Sequence, residues 1–212
     1  MNGILALFDF VDPKQLIEDF GTAGLILIVF VESGLIPAPL PGDSLLFIAG
    51  FAASAPEEGT LPHLNLWVLL IGCFVAALAG GQIGYWIGAT FGTRLFKPDA
   101  RIFKTKYAEQ AEEFFDHRGS KAIVIARFVP FVRTIVPMLA GASSMRARVF
   151  AAYNAAGAAL WAIGILLLGY FLGDTIGEEN IDKYLLPIVA LIVVLSLIPP
   201  FLEYRRHKRA AN

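Results

Sequence analysis

The chain is poor in charge: only 17% of its 212 residues are Asp, Glu, Lys or Arg, and 57% are hydrophobic. A soluble domain carries about 25% charged residues. The mean hydropathy is +0.65. A soluble core of this size cannot hide so much apolar surface, which sets soluble enzymes aside. Disorder needs the opposite composition. Cys73 is the single cysteine, so the chain has no internal disulfide and no thiolate metal cage. His63, His117 and His207 lie too far apart in sequence to suggest a metal motif, and no cofactor is expected. The net charge of -1 lacks the basic surplus that a nucleic-acid partner requires. No basic run precedes the first apolar residues, because Lys14 follows Asp9 and Asp12, so a signal peptide is not expected. Residues 1–20 instead read as an amphipathic helix lying at a membrane surface, with Leu16, Ile17 and Phe20 at helical spacing.

What the chain does have is long apolar runs. Residues 66–91, 150–172 and 184–202 are each long and apolar enough to span a bilayer, which takes about 20 helical residues. Two further apolar stretches are interrupted. Residues 22–51 contain Pro37, Pro39, Pro41 and Gly42; residues 121–142 contain Pro130, Pro137 and two arginines. Proline removes an N–H and clashes with the preceding turn, so a helix stops or kinks there. Broken backbone at membrane depth is tolerated when it is buried in protein or lines a cavity. Both stretches are therefore expected to be re-entrant hairpins, with two kinked full spans as the alternative.

The bases supply an orientation. Seven of 17 lie between Arg94 and Lys121, Arg146 and Arg148 follow the second broken stretch, and Arg205, Arg206, Lys208 and Arg209 sit in the tail. The opposite loops hold only Lys14 and Lys183 among several acids. The positive-inside rule then places the C-terminus in the cytoplasm and the N-terminus outside. An amphipathic helix over 100–118 is expected on the cytoplasmic leaflet. The expected fold is an all-α, single-domain membrane protein. It has three full transmembrane helices and two oppositely oriented re-entrant hairpins in an inverted repeat, with amphipathic surface helices. Both broken stretches end in Ala-Gly and precede a full span, which is the sequence trace of that repeat.

Four charges fall outside the loops: Glu32, Asp43, Arg127 and Arg133. Each costs roughly 2.5–3.5 kcal/mol at mid-bilayer on insertion scales, so they are expected to pair or face water. Two buried salt bridges that only pin the hairpins together are the plain structural reading. Transporters built from inverted repeats place their substrate between broken helices near the midplane. Around these charges, Gly72, Ala76, Gly80, Gly84, Gly88 and Gly92 form a stripe of small residues on one helix face. Such a stripe suits close helix packing, within one chain or between copies. Tyr85 and Trp86 sit in the same region, Asn154 is a candidate hydrogen-bond partner for a hairpin, and Trp161 reads as an apolar packing residue.

Residues 32–43 (E-S-G-L-I-P-A-P-L-P-G-D), 84–92 (G-Y-W-I-G-A-T-F-G), 126–141 (A-R-F-V-P-F-V-R-T-I-V-P-M-L-A-G) and 154–161 (N-A-A-G-A-A-L-W) resemble the DedA family of bacterial inner-membrane proteins, also called SNARE-associated or VTT-domain proteins. The likeness runs from about residue 20 to 200. It implies lipid transport, in particular flipping of undecaprenyl phosphate, driven by the proton motive force. It also implies that Glu32, Asp43, Arg127 and Arg133 are the functional set. The chain departs from many members at Gly80-Gly81-Gln82, where they carry an acid, and at Ala89, where they carry a base.

Arginine offers a planar fork of donors matched to phosphate oxygens. Arg127 and Arg133, either side of Pro130, are the expected clamp for a lipid phosphate. A helix start after Pro41 and Gly42 adds partial positive charge. Glu32 and Asp43 are the expected proton carriers, because an apolar site favours the neutral carboxyl. Tyr85, Pro137 and Asn154 complete the candidate set. The expected partners are a lipid phosphate, the bilayer and protons. A small-ion exchanger is the alternative, and a lipid-phosphate enzyme is a weaker one, since no Ser-His or Cys-His pair is evident. A passive scaffold leaves the four charges unexplained.

Overall fold

The computed structural model describes residues 13–35, 42–56, 63–92, 119–143 and 145–176, with backbone alone at 13–20, 130, 131 and 176. Pro41, the amphipathic helix of 100–118, the third span at 184–202 and the start of the N-terminal helix lie outside these residues. Among the described residues the structure is helical, without strands. The elements are α1 (Pro13–Glu32), α2 (Gly42–Ala52), α3 (Leu66–Phe91), a short 3₁₀ turn (Gly119–Lys121), α4 (Ala122–Ala126), α5 (Pro130–Ala142), α6 (Ala147–Ala158), a π turn (Ala159–Ile163) and α7 (Gly164–Ile176).

Local chemistry accounts for the boundaries. The surface helix expected over 1–20 and the first apolar stretch meet in α1, which kinks at Gly21, where φ is 57°. A side chain is strained in that conformation, and glycine is not. α3 starts at Asn65, whose Oδ1 accepts from the N–H groups of Trp67 and Val68 at 3.0 and 3.2 Å. That is a standard cap for orphan donors. The 26 residues of α3 span about 39 Å at a rise of about 1.5 Å each, enough to cross a bilayer. The run from Ala147 to Thr175 has 29 residues and the same apolar character.

The second broken stretch differs from expectation in one respect. Its break lies at Arg127–Val129, directly before Pro130, and Pro130 opens α5 at its first turn. There the missing N–H costs nothing. Pro137 does not end α5, which continues through it to Ala142. Pro137 packs on the bare backbone of Gly84, so tertiary contact holds the helix together where the local rule predicts a stop.

Small residues set how the helices meet. Each of two short helices lies along a long one: α2 along α7, and α5 along α3. The two pairings repeat one pattern. A Cβ on Gly169 would strike the carbonyl of Phe47, and one on Gly50 the carbonyl of Leu166. A Cβ on Gly88 would strike the carbonyl of Met138, and one on Gly141 the carbonyl of Tyr85. Gly50 and Gly141 are the glycines that end the two broken stretches. Within each pair the helices run parallel. The two pairs run in opposite directions, because α6 is antiparallel to α3, with Phe150 on Tyr85 and Asn154 on Leu78. α1 lies along α3, with Gly34 and Gly80 in backbone contact.

Burial is inverted relative to a soluble protein. Trp67, Ile71, Val75, Leu160, Leu168 and Phe171 are exposed, while Glu32, Arg127, Arg133 and Asn154 are buried. Apolar residues outward and charges inward are what a lipid solvent demands.

Candidate functional site

Arg133 projects from the first turn of α5 into the centre of the bundle. Its Nη1 donates to Asp43 Oδ1 at 2.6 Å, and its Nη2 donates to Glu32 Oε1. Glu32 ends α1 and Asp43 lies in the first turn of α2, so the two arms of the first broken stretch meet on one guanidinium. The side chains of Glu32 and Arg133 are each 2% exposed and that of Asp43 15%. Gly42 makes this possible: a Cβ there would overlap the Glu32 carboxylate. The Pro-Gly-Asp element thus supplies clearance for one acid and the position of the other.

Trp161 closes the cluster. Its indole N–H donates to Asp43 Oδ1 at 2.8 Å, and its ring centroid lies 4.7 Å from Arg133 Cζ, within cation–π range. It belongs to this site rather than to apolar packing alone. A signal for this existed in the sequence, because a buried indole N–H needs an acceptor. Among the described residues, three buried polar atoms here have no hydrogen-bond partner: Glu32 Oε2, Ser33 Oγ and Arg133 Nε.

Arg127 is placed differently. It sits at the break between α4 and α5, and its Nη2 donates to Ala77 O at 2.8 Å and Asn154 Oδ1 at 2.6 Å. Asn154 donates in turn to Leu78 O at 3.0 Å, so it ties the break to α3. Among the described residues no carboxylate pairs with Arg127. The plain structural reading of two salt bridges, one for each arginine, does not describe the pairing: both acids converge on Arg133, and Arg127 has neutral partners among the described residues. Gly81 and Gly157 give its side chain room, since a Cβ at either would press on it. A side chain at Gly81 would displace Arg127 and Asn154.

Tyr85 stands apart from the ion cluster. Its ring stacks on Phe150 at 4.7 Å and its hydroxyl donates to Met145 O, joining α3 to the start of α6. Trp86, on the same helix, is 57% exposed and does not share that environment. Among the described residues no three His, Cys, Asp or Glu side chains come together as a metal cage.

Chemically, one buried cation is held by two anions, and a second buried cation has, among the described residues, neutral acceptors alone. Breaking one arm of the first group leaves a charge to be neutralised by a proton or replaced by another anion.

Residues 40–171 match the VTT domain family. The chain is 42% identical to Protein DedA of Escherichia coli (strain K12), covering all of this chain and 98% of that protein. It is 38% identical to an uncharacterized membrane protein of Mycobacterium leprae (strain TN), covering 100% of this chain and 96% of the relative. Its identity to inner membrane protein YqjA of Escherichia coli (strain K12) is 32%, over 82% of this chain and 77% of YqjA. No solved structure matches it. With its lipid-facing apolar helices and its full-length likeness to these membrane proteins, the chain belongs to the DedA family of VTT-domain membrane proteins.

Proposed function

We propose that this protein moves a lipid phosphate, of the polyprenyl phosphate class, across the cytoplasmic membrane, and that proton uptake at the Glu32–Asp43 pair drives it. The observation that carries this reading is the single guanidinium of Arg133 bound by two buried carboxylates. With both acids ionised, both terminal nitrogens of Arg133 are engaged. A proton on Glu32 turns that carboxylate into a neutral acid and removes its charge from Arg133, so a phosphate oxygen, which carries charge, can displace the weakened contact at Nη2. Arg127, with no acid partner among the described residues, supplies the second positive charge. The buried groups make the present arrangement an occluded one, which must open to admit a headgroup.

The antiparallel arms of α1 and α2, with Glu32 against Gly42, support the re-entrant reading of the first stretch. The opposed directions of the α2–α7 and α5–α3 pairs support the inverted repeat. Placement in an inner membrane follows YqjA, whose name carries it.

The test is movement of a labelled polyprenyl phosphate by purified protein in liposomes, with and without a pH gradient. Movement accelerated by the gradient, and lost in Glu32→Gln and Arg127→Ala, is the expected result. Unchanged movement in both variants overturns the reading. Ion flux without lipid movement assigns the site to a small-ion exchanger instead, and phosphate release assigns it to an enzyme.

A further inference from the structure

We propose that Trp161 is a positioning residue of the carboxylate–guanidinium cluster, turned inward by the π turn, and that it fixes Asp43 on Arg133 so that Glu32 is the acid that exchanges the proton. This deepens the transport reading above and rests on it for the use made of the proton.

A π turn adds one residue to a helical turn and rotates the next stretch of helix about its axis, and such turns concentrate at functional sites. Here it covers Ala159–Ile163 and divides α6 from α7. Within it, Trp161 is 1% exposed and faces the bundle, while Leu160 is 59% exposed and faces away. The indole presents two different surfaces to two helices. Its edge donates to Asp43 on α2, and its face covers Arg133 on α5. Asp43 Oδ1 therefore accepts from two donors, Arg133 Nη1 and Trp161 Nε1. Glu32 is held less completely. Its Oε1 accepts from Arg133, while its buried Oε2 has no partner among the described residues.

Donors to the charged form of a carboxylate favour that form. The asymmetry therefore assigns the proton to Glu32 Oε2. One proton binds there, the Nη2 contact to Oε1 loses its ionic character and can be displaced by an anion, and Asp43 keeps Nη1. Among the described residues the other charged and titratable groups around the π turn are few. Arg127, at the break between α4 and α5, lies against Gly157 and Asn154 of α6. α1 contributes Glu32 through Arg133. α3 carries Cys73 and Tyr85, and the Tyr85 hydroxyl is committed to Met145 O. α6 carries Arg148 and Tyr153 nearer its start.

The chain has three tryptophans. Trp67 and Trp86 are exposed and outside the cluster, so Trp67→Phe with Trp86→Phe leaves Trp161 as the sole emitter. In that background the emission is titrated with pH in detergent micelles. The expected result is one pH-dependent step, absent in Glu32→Gln, and an altered emission at all pH values in Asp43→Asn. A step that survives Glu32→Gln, or an emission indifferent to Asp43→Asn, overturns the proposal. In liposomes, Trp161→Phe keeps an aromatic face and loses the N–H donor. The pH midpoint of lipid phosphate movement should then shift by about one unit, with an unchanged helical circular dichroism spectrum. An unshifted midpoint in that folded variant also overturns it. If the emission pattern holds while the unaltered protein moves no labelled polyprenyl phosphate, the positioning role stands and the transport reading falls.

Discussion

The two arginines occupy contrasting environments less than a helix apart. Arg133 is over-compensated, with two carboxylates and an aromatic face. Arg127 is under-compensated, with one backbone carbonyl and one amide oxygen. Both are buried to 4% exposure, so the difference lies in partners rather than in solvent. A motif that repeats arginine six residues apart thus encodes two different devices. One is a group whose charge is switched off by its neighbours, and the other keeps its charge available.

Substituting each arginine breaks that comparison most directly. Arg133→Leu leaves two buried carboxylates without a counter-charge and should lower stability by about 3–5 kcal/mol, as when one member of a buried pair is removed. Arg127→Leu strands only neutral groups and should cost about 1–3 kcal/mol, the penalty of unsatisfied hydrogen-bonding groups. Thermal unfolding in detergent checks both. Equal losses for the two variants break the contrast. Lipid phosphate movement should be abolished in each, which separates the site's function from its contribution to stability.

Gly42→Ala comes next. The added methyl meets the Glu32 carboxylate, and overpacking of this kind costs about 1–3 kcal/mol. Glu32→Ala is itself destabilising, because it removes one member of a buried pair, but in that background the further Gly42→Ala should cost little melting temperature, because the collision is absent. An equal cost in both backgrounds means that Gly42 acts through something other than Glu32.

Asn154→Asp sharpens the comparison by giving Arg127 a carboxylate of its own. Transport should fall at least tenfold, equivalent to about 1.4 kcal/mol, while the melting temperature holds or rises. A transport rate equal to that of the unaltered protein contradicts the idea that Arg127 must keep neutral partners. The smallest effect is expected for Tyr85→Phe. It removes the hydroxyl bond to Met145 O and retains the stack on Phe150. A loss of about 1 kcal/mol is expected by thermal unfolding, without a change in the pH profile of transport.

Much of the fold is legible in the sequence because membrane helices obey a local rule. Residues 66–91 have no charge and end at glycine, and the helix covers that range. The break before Pro130 is likewise local, since a proline at the first helical position is pre-organised there. Pro137 shows where local reasoning fails. The same residue type stops a helix or sits within one according to what packs against it, and Gly84 is distant in sequence. Gly50 and Gly141 illustrate the intermediate case. Their Ala-Gly endings are visible as a weak internal likeness, and their meaning emerges only from the carbonyls they touch.

For the site, Glu32, Asp43, Arg127, Arg133 and Asn154 are identifiable because polar groups inside apolar stretches must find partners. Which partner each finds is not in the pattern. Trp161 is the instructive omission, since an indole is apolar by composition and polar by one N–H.

The sequence alone determined that this chain lives in a membrane, that a helix starts at Pro130, and that four charges must be reconciled with an apolar surrounding. Hydropathy and backbone chemistry act over a few residues, which is why these features are local. Only the tertiary structure decided that Arg133 takes both acids, across 101 and 90 residues of chain, and that Arg127 takes none among the described residues. Which helix faces meet, through glycine-lined contacts and a π turn, is a property of the packed bundle, and charge pairing is set by that packing.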